Sequence, residues 1–319
     1  MFYRKIYPSA WQLTKKNPIL WFFGLFASLL GFYEIQALFS FSNKFPDFIS
    51  TNIKSWIDIF ITFSIIDVGW SNLSNVLVLL GLFILFSITT IITISSQAAL
   101  TYSVSSQGKK AGKKSLGKQL QYGVEKFWPV FGLNIINSLV GYFFVTLVVA
   151  PLIYFVSNTN SWPVYIILGI FTFFVLIPLV VVISFVTRYG IAFVVIKNQK
   201  FVDAFINSWL LFKINWLITL ENAFLLLATT FLTMIAIISA IVFIFVPFYI
   251  IANALPFLAF MFFIIGLFLI ATVLILTTSI YTAFYNIVWA TIFLDLIAPG
   301  QSYSKIHRVA HKYLPVLVK

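Results

Sequence analysis

The sequence contains no cysteine and very little charge. Of its 319 residues only 9% are charged, with 8 acidic residues and 2 histidines, against about a quarter charged in a typical soluble domain. The missing cysteine excludes disulfides, cysteine-based zinc sites, iron–sulfur clusters and thiol nucleophiles. The chain also has no phosphate-binding glycine loop, serine nucleophile elbow or HExxH motif. These absences favour a non-enzymatic protein without cofactor or metal.

Apolar residues make up most of the chain. Hydrophobic residues make up 61% of the chain, and phenylalanine alone occurs 38 times. A soluble protein of this length could not cover so much apolar surface with so few charged side chains. The composition therefore predicts an all-α integral membrane protein.

Long stretches without charge indicate where the chain crosses the membrane, since a membrane helix needs about 20 mostly apolar residues. Polar residues 158–161 divide one such stretch, and Pro247, Asn253 and Pro256 divide another. The six predicted spans are residues 19–41, 76–100, 130–156, 164–186, 217–248 and 257–284. The apolar stretch of the first span is longer than a signal-peptide core, so we expect an uncleaved anchor.

Positive charge lies almost entirely on one side of these spans. The N-terminal residues, the loop 103–128, the segment between the fourth and fifth spans and the tail 295–319 hold all but two of the 20 Lys and Arg residues. The outer loop 42–75 holds Lys44 and Lys54. The positive-inside rule therefore predicts six spans in the cell (inner) membrane, with both termini cytoplasmic, rather than seven.

An aromatic residue and a lysine one helical turn later precede three of the spans. The pairs are Trp11 with Lys15, Tyr122 with Lys126, and Trp209 with Lys213. Such residues anchor a helix at the level of the lipid headgroups. The recurrence predicts three helical hairpins, each preceded by an interfacial helix. The alternative is that any membrane entry on the cytoplasmic side favours Trp and Lys.

Apolar spacing supports an in-plane helix before two of the spans. Four apolar residues fall on one helical face before the fifth span and four before the third: Phe201, Phe205, Trp209 and Phe212, and Leu116, Leu120, Val124 and Phe127. Residues 53–61 of the outer loop show helical spacing as well. They form either a short surface helix or a loop packed over the bundle.

The segment before the fifth span follows a known pattern. Arg188 stands at a span end, then come an apolar stretch and a polar turn, and Ala204, Ser208, Trp209 and Lys213 complete an Ala-x-x-x-Ser-Trp motif with a basic residue. This pattern resembles the membrane domain of bacterial glycerophosphoryl diester phosphodiesterases and its stand-alone relatives. The resemblance implies a six-helix domain. It carries over no catalysis, because the activity of the longer relatives belongs to a separate soluble domain.

Polar groups inside a bilayer are costly and are therefore candidates for function. The candidate intramembrane site consists of Glu221, Asn222, Asn134, Asn137 and Glu34. Glu221 is the strongest candidate for a buried proton or cation site. The asparagines at positions 134 and 137 share one helix face and favour bonds between helices.

Ordinary alternatives stay open for the two carboxylates of this set. Glu221 could instead pair with Lys213 or Arg188 at the interface. Glu34 lies near the outer face, where its carboxylate would reach water.

A lysine cluster in the loop 103–128 indicates anionic lipids as partners. It consists of Lys109, Lys110, Lys113 and Lys114, which either contact anionic lipid or fix the topology. We expect membrane lipids with anionic headgroups on the cytoplasmic leaflet as partners, and no nucleic acid. Two functions follow as hypotheses. The first is a membrane scaffold or envelope-maintenance factor that acts through lipids. The second is a transporter or lipid-translocating protein with a cavity near the third to fifth helices, where Pro151 and Pro178 are expected to kink the third and fourth.

Overall fold

The computed structural model describes residues 3–40, 73–105, 116–158, 177–254 and 256–298, together with Ile167, Ile170 and Phe174. These residues are almost all helical and contain no strand, which confirms the all-α prediction. The helices are α1 (Tyr3–Lys16), α2 (Ile19–Ser40), α3 (Leu73–Ser103), α4 (Leu116–Glu125), α5 (Phe127–Asn158), α6 (Ile177–Lys197), α7 (Phe201–Ala254) and α8 (Ala259–Leu296), with a 3-10 turn at Pro256–Leu258. The possible surface helix at 53–61 lies outside the described residues.

Several of these helices have the length and composition of membrane-spanning segments. Four candidates occur in the described part of the chain: Leu80–Ser103, Pro178–Lys197, Phe201–Ile251 and Phe260–Leu296. Shorter apolar helical stretches cover Ile19–Leu29 and Phe127–Phe143. Helices of this kind indicate a membrane protein, as the composition predicted.

Two helices continue past the predicted ends of their spans. The sequence placed these ends at residues 186 and 284, with helix continuing to Leu294 after the sixth span, and in the structure α6 runs to Lys197 and α8 to Leu296. Pro247 likewise lies inside α7, and the chain leaves that helix only near Pro256. A charge or a proline can limit an apolar stretch without ending a helix, because arginine is a good helix former and proline removes only one backbone hydrogen bond.

Three short helical segments each come directly before a long helix. They are α1, α4 and residues 201–214 of α7, and the residues that follow them are Asn17, Lys126 and Asn215 respectively. Asn17 donates its side-chain amide to the carbonyl of Leu13 at 3.1 Å, and Asn215 donates to that of Leu211 at 3.2 Å. The two asparagines thus satisfy a carbonyl four residues back, where a helix end leaves such groups free.

Three of the six long helices described above form the centre of the bundle, and the other three lie around them. Helices α3, α6 and α8 contact one another, while α2 lies between α8 and α3, α5 between α3 and α6, and α7 between α6 and α8. The short segments follow the same order, with α1 packed on α8, α4 on α3, and residues 201–214 of α7 on α6. Aromatic side chains join each short segment to its long helix. The distances between ring centres are 5.9 Å for Trp11 and Phe284, 4.2 Å for Tyr102 and Tyr122, and 6.2 Å for Phe185 and Phe212.

Burial differs between the two ends of this bundle. Most buried side chains lie at the end that carries the short helices, which we call the packed end: residues 20–27, 94–104, 127–133, 185–195, 218–226 and 279–296. The opposite halves of α3, α5, α7 and α8 form the far end and expose large apolar side chains, with Phe83 70% and Phe243 80% exposed. The candidate site lies in the packed end.

Candidate functional site

The strongest sequence candidate, Glu221, lies where α1 contacts α7, shortly after the kink at Asn215. The hydroxyl of Tyr3 donates to the carbonyl of Ile218 at 3.1 Å, and that of Tyr7 donates to Asn222 Oδ1 at 3.0 Å. The Tyr3 hydroxyl also neighbours the carboxylate of Glu221. Two tyrosines of α1 therefore cover the Glu221–Asn222 pair.

Arg188 lies on the neighbouring helix α6, against aromatic rings of α8. Its guanidinium carbon is 4.7 Å from the centre of the Tyr285 ring and 5.6 Å from that of Trp289. Such cation–π contacts stabilise a charge that burial partly removes from water. Arg188 was predicted to mark the end of a span, and the structure places it within α6.

Tyr281 joins these two groups of residues. Its ring lies 6.1 Å from that of Tyr285, and its hydroxyl pairs with Thr230 on α7. Four helices thus contribute to one cluster, which we call the polar–aromatic site. Its members are Tyr3, Tyr7, Arg188, Glu221, Asn222, Tyr281, Tyr285 and Trp289.

Three buried polar atoms of the site have no hydrogen-bond partner among the described residues. They are Glu221 Oε2, Asn222 Nδ2 and Trp289 Nε1. A buried polar group without a partner costs about 1–3 kcal/mol, and such groups are few in native proteins. Their occurrence in one cluster indicates a place where a bound molecule could supply the missing partners.

Burial changes the acidity of the two α1 tyrosines. It raises the pKa of the Tyr3 hydroxyl well above its ordinary value, and the neighbouring charge of Glu221 raises this pKa further. Burial also raises the pKa of Tyr7. Both hydroxyls therefore stay protonated near neutral pH and act as hydrogen-bond donors.

The predicted asparagine pair lies at a different place from Glu221. Asn134 donates to Gln97 Oε1 at 2.9 Å, which joins α5 to α3, as expected for amides that bond across membrane helices. Asn137 lies one turn further along α5 and is half-buried. Glu34 lies in α2, but its side chain falls outside the described residues. Glu221 and Asn222 therefore lie together under α1, whereas Asn134 takes part in a separate contact between α5 and α3.

The three predicted anchor pairs divide into two kinds. Trp11 and Trp209 are about half exposed, and Lys15 and Lys213 are exposed. Tyr122 instead donates to the carbonyl of Val195 at 3.0 Å and stacks on Tyr102.

The lysine that follows Tyr122 is also held by the protein. Lys126 donates to Asn198 Oδ1 and lies 5.6 Å from the centre of the Tyr122 ring. This second pair therefore makes contacts within the protein that the exposed lysines of the other two pairs do not share. The lysine cluster at residues 109–114 falls outside the described residues.

Sequence reasoning missed the aromatic members of the site. Tyr281, Tyr285 and Trp289 recur every four residues on α8, and Tyr3, Tyr7 and Trp11 do so on α1. That spacing places each set on one helix face and could have been noticed. The sequence could not show that α1 packs against α8, or that Arg188 lies on the rings of α8.

The arrangement suits binding better than chemistry. It offers one cation, one carboxylate and several donors, and no group of three metal-ligating side chains occurs in the parts of the chain described above. Comparison with known proteins gives no relative: no family model, curated protein or solved structure matches the chain.

Proposed function

We propose that the protein crosses the cell (inner) membrane six times as three helical hairpins, with both termini in the cytoplasm, and acts there as a non-enzymatic scaffold or envelope-maintenance factor that binds lipids. Six uncharged stretches and the one-sided distribution of cations support the topology. The order in which the short and long helices pack supports three repeated units. A relationship to the membrane domain of glycerophosphoryl diester phosphodiesterases, implied by the segment around Trp209, is part of this proposal.

The observation that carries the lipid role is the apolar outward face of the short helices. Along residues 201–214 of α7, exposed side chains recur every four residues at Val202, Ile206, Leu210 and Ile214. Leu120, Val124 and Trp128 repeat this pattern along α4 and the start of α5. An apolar stripe on a surface helix is buried at the boundary between headgroups and acyl chains. The short helices thus give the protein a membrane-facing surface around the bundle.

Single-cysteine labelling tests this surface cleanly, because the native sequence contains no cysteine. An environment-sensitive probe is attached to Ile206→Cys or to Ile214→Cys, and the protein is reconstituted into vesicles with and without phosphatidylglycerol. We expect a blue-shifted emission that lipids brominated near the headgroup quench. Lys197→Cys, an exposed position at the end of α6 and outside the short helix, is the control, and an equal response there would contradict a membrane-facing stripe.

The topology has a separate test with the same chemistry. Lys110→Cys and Lys312→Cys are each labelled with a membrane-impermeant maleimide in right-side-out vesicles. We expect both to be protected until the membrane is permeabilised. Opposite accessibility of the two positions would contradict six spans.

The polar–aromatic site supports one alternative, a transporter or lipid-translocating protein. Arg188 and Glu221 lie within helices of the bundle and are only half exposed, as residues of a translocation path are. Flux of fluorescent lipid or of small solutes across reconstituted liposomes tests this function. Flux that Glu221→Gln abolishes would favour it, and absence of flux or flux unchanged by Glu221→Gln would favour the scaffold.

A further inference from the structure

We propose that the polar–aromatic site binds a phosphate group, carried by a lipid headgroup or as the free ion, between Arg188, Asn222 and Trp289. This inference rests on the lipid-binding function proposed above and gives the chemistry that one site would recognise. It concerns the interior of the packed end, whereas the labelling experiment concerns the outward surface of the short helices. The two experiments therefore show which of the two proposals has failed.

The first support is the setting of Arg188. The guanidinium lies over the rings of Tyr285 and Trp289. Its N–H donors make no hydrogen bond among the described residues and are left for another partner. Arginine edges bind phosphate oxygens through two parallel hydrogen bonds.

The second support is the chemistry of two unpartnered atoms in the same cluster. Asn222 is 0% exposed and Trp289 is 5% exposed, yet the side-chain N–H groups of both lack an acceptor among the described residues. Asn222 Oδ1 already accepts from Tyr7, which leaves the amide nitrogen as the free end of that side chain. Two buried donors in a cluster that contains a cation require an acceptor, and an anion supplies it.

Tyrosine contacts connect the two donors through the site. The Tyr7 hydroxyl bonds to Asn222 and interacts electrostatically with Tyr281 and Tyr285. The Tyr285 ring in turn lies under Arg188. Arg188, Tyr281 and Tyr285 are all half-buried, so a headgroup can reach them without unfolding of the bundle.

Glu221 is the one acidic member of the site, and its charge opposes an anion. It lies beside Tyr3 on α1. Removal of this charge should therefore strengthen phosphate binding, whereas removal of the Arg188 charge should weaken it. Opposite effects of the two substitutions would distinguish an anion site from a cation site.

Native mass spectrometry of the full-length protein in detergent tests the proposal. Phosphatidylglycerol is titrated in, with diacylglycerol as the matched lipid without phosphate. We expect Arg188→Gln to weaken phosphatidylglycerol binding by about tenfold or more, as for loss of a charge-assisted bidentate contact. Trp289→Phe, which keeps the ring and loses the N–H group, should weaken it by about fivefold. Lys197→Gln, an exposed cation on the same helix, should leave binding unchanged.

Three outcomes would overturn the proposal. One is equal binding by Arg188→Gln and Lys197→Gln, with both variants folded by circular dichroism. Another is a Trp289→Phe variant that binds as the native protein does. The third is a Glu221→Gln variant in which phosphatidylglycerol binding is weakened as strongly as in Arg188→Gln. Competition by inorganic phosphate identifies the free ion as the ligand, and its absence together with binding of phosphatidylglycerol identifies the headgroup.

Discussion

The packed end and the far end of the bundle are both rich in apolar residues and are held in different ways. At the packed end, helices approach closely at glycines: a Cβ added to Gly24 would lie 2.0 Å from the Ser279 carbonyl oxygen, and one added to Gly123 would lie 2.3 Å from that of Ser95. At the far end, a Cβ added to Gly81 or Gly141 meets nothing within 4 Å. The same residue type therefore permits contact at one end and borders open space at the other.

The difference shows what drives helix association in this protein. Lipid chains solvate leucine and phenylalanine as well as another helix does, so apolar surface alone does not pull membrane helices together. Close packing and hydrogen bonds do so, and both concentrate at the packed end. Gln97 with Asn134 at 2.9 Å and Tyr189 with Thr219 at 2.7 Å are examples of the bonds.

The largest effect is expected where a side chain would enter the α2–α8 contact. Gly24→Ala places a methyl group against a backbone carbonyl that has no rotamer to change, so we expect a loss of about 3 kcal/mol in the free energy of unfolding. Gly81→Ala should instead stabilise helix α3 by up to about 1 kcal/mol. Unfolding titrations in mixed micelles measure both. A loss at Gly81 as large as at Gly24 would remove the distinction between the two ends.

A leucine pair on α5 compares the two ends within one helix. Leu133 is 0% exposed at the packed end, and Leu139 is 62% exposed. Leu133→Ala should cost about 2 kcal/mol, the low end of the range for buried leucine, because the unfolded helix stays in an apolar solvent. Leu139→Ala should cost less than about 0.5 kcal/mol. The same unfolding titration applies, and equal costs would contradict tight packing around Leu133.

A glycine pair on α4 tests how firmly a short helix is attached. Gly123→Ala should destabilise the α3–α4 contact by about 1 kcal/mol, less than at Gly24, because a ten-residue helix can shift as a unit. Gly117→Ala is the control, since a Cβ there meets nothing within 4 Å. Hydrogen exchange of the α4 amides measures the attachment. Unchanged protection in Gly123→Ala would show that α4 does not depend on this approach.

The smallest effect concerns pH and the α1 tyrosines. Because burial raises the pKa of Tyr3 and of Tyr7 in the folded protein, their contribution to stability is complete below about pH 10, the ordinary tyrosine pKa, and is lost as the pH rises above it. Both side chains are partly exposed, so solvent weakens the effect. The thermal midpoint should fall above about pH 10, and Tyr7→Phe should lessen the fall. An identical alkaline decline in Tyr7→Phe would exclude Tyr7 as its source.

The sequence predicted the helical class and the positions of the entry helices. Asn17 and Asn215 each follow the lysine of an anchor pair by two residues, and both bond to the carbonyl four residues back at the end of a short helix. Arg188 and Pro247 interrupted an apolar pattern without interrupting the backbone, because hydrophobicity and helix hydrogen bonding respond to different properties of a residue.

The candidate site could be predicted only in part. Glu221 and Asn222 stood out because polar groups are rare in so apolar a chain, and the structure places them together beneath α1. Asn134 was grouped with them on the same ground and belongs with Gln97 instead. Rarity identifies which residues need a partner, but it contains no information about which helix supplies that partner.

Composition and the order of polar and apolar residues by themselves determined that this chain is helical and suited to a bilayer, because both follow from transfer free energies that each residue carries alone. Only the tertiary structure decided that α1 lies across α7 and α8, that Arg188 lies on the rings of Tyr285 and Trp289, and that two buried N–H groups of the same cluster lack acceptors. Those facts depend on which helix faces approach one another. In an apolar solvent that choice is made by close packing and hydrogen bonds between residues far apart in the chain.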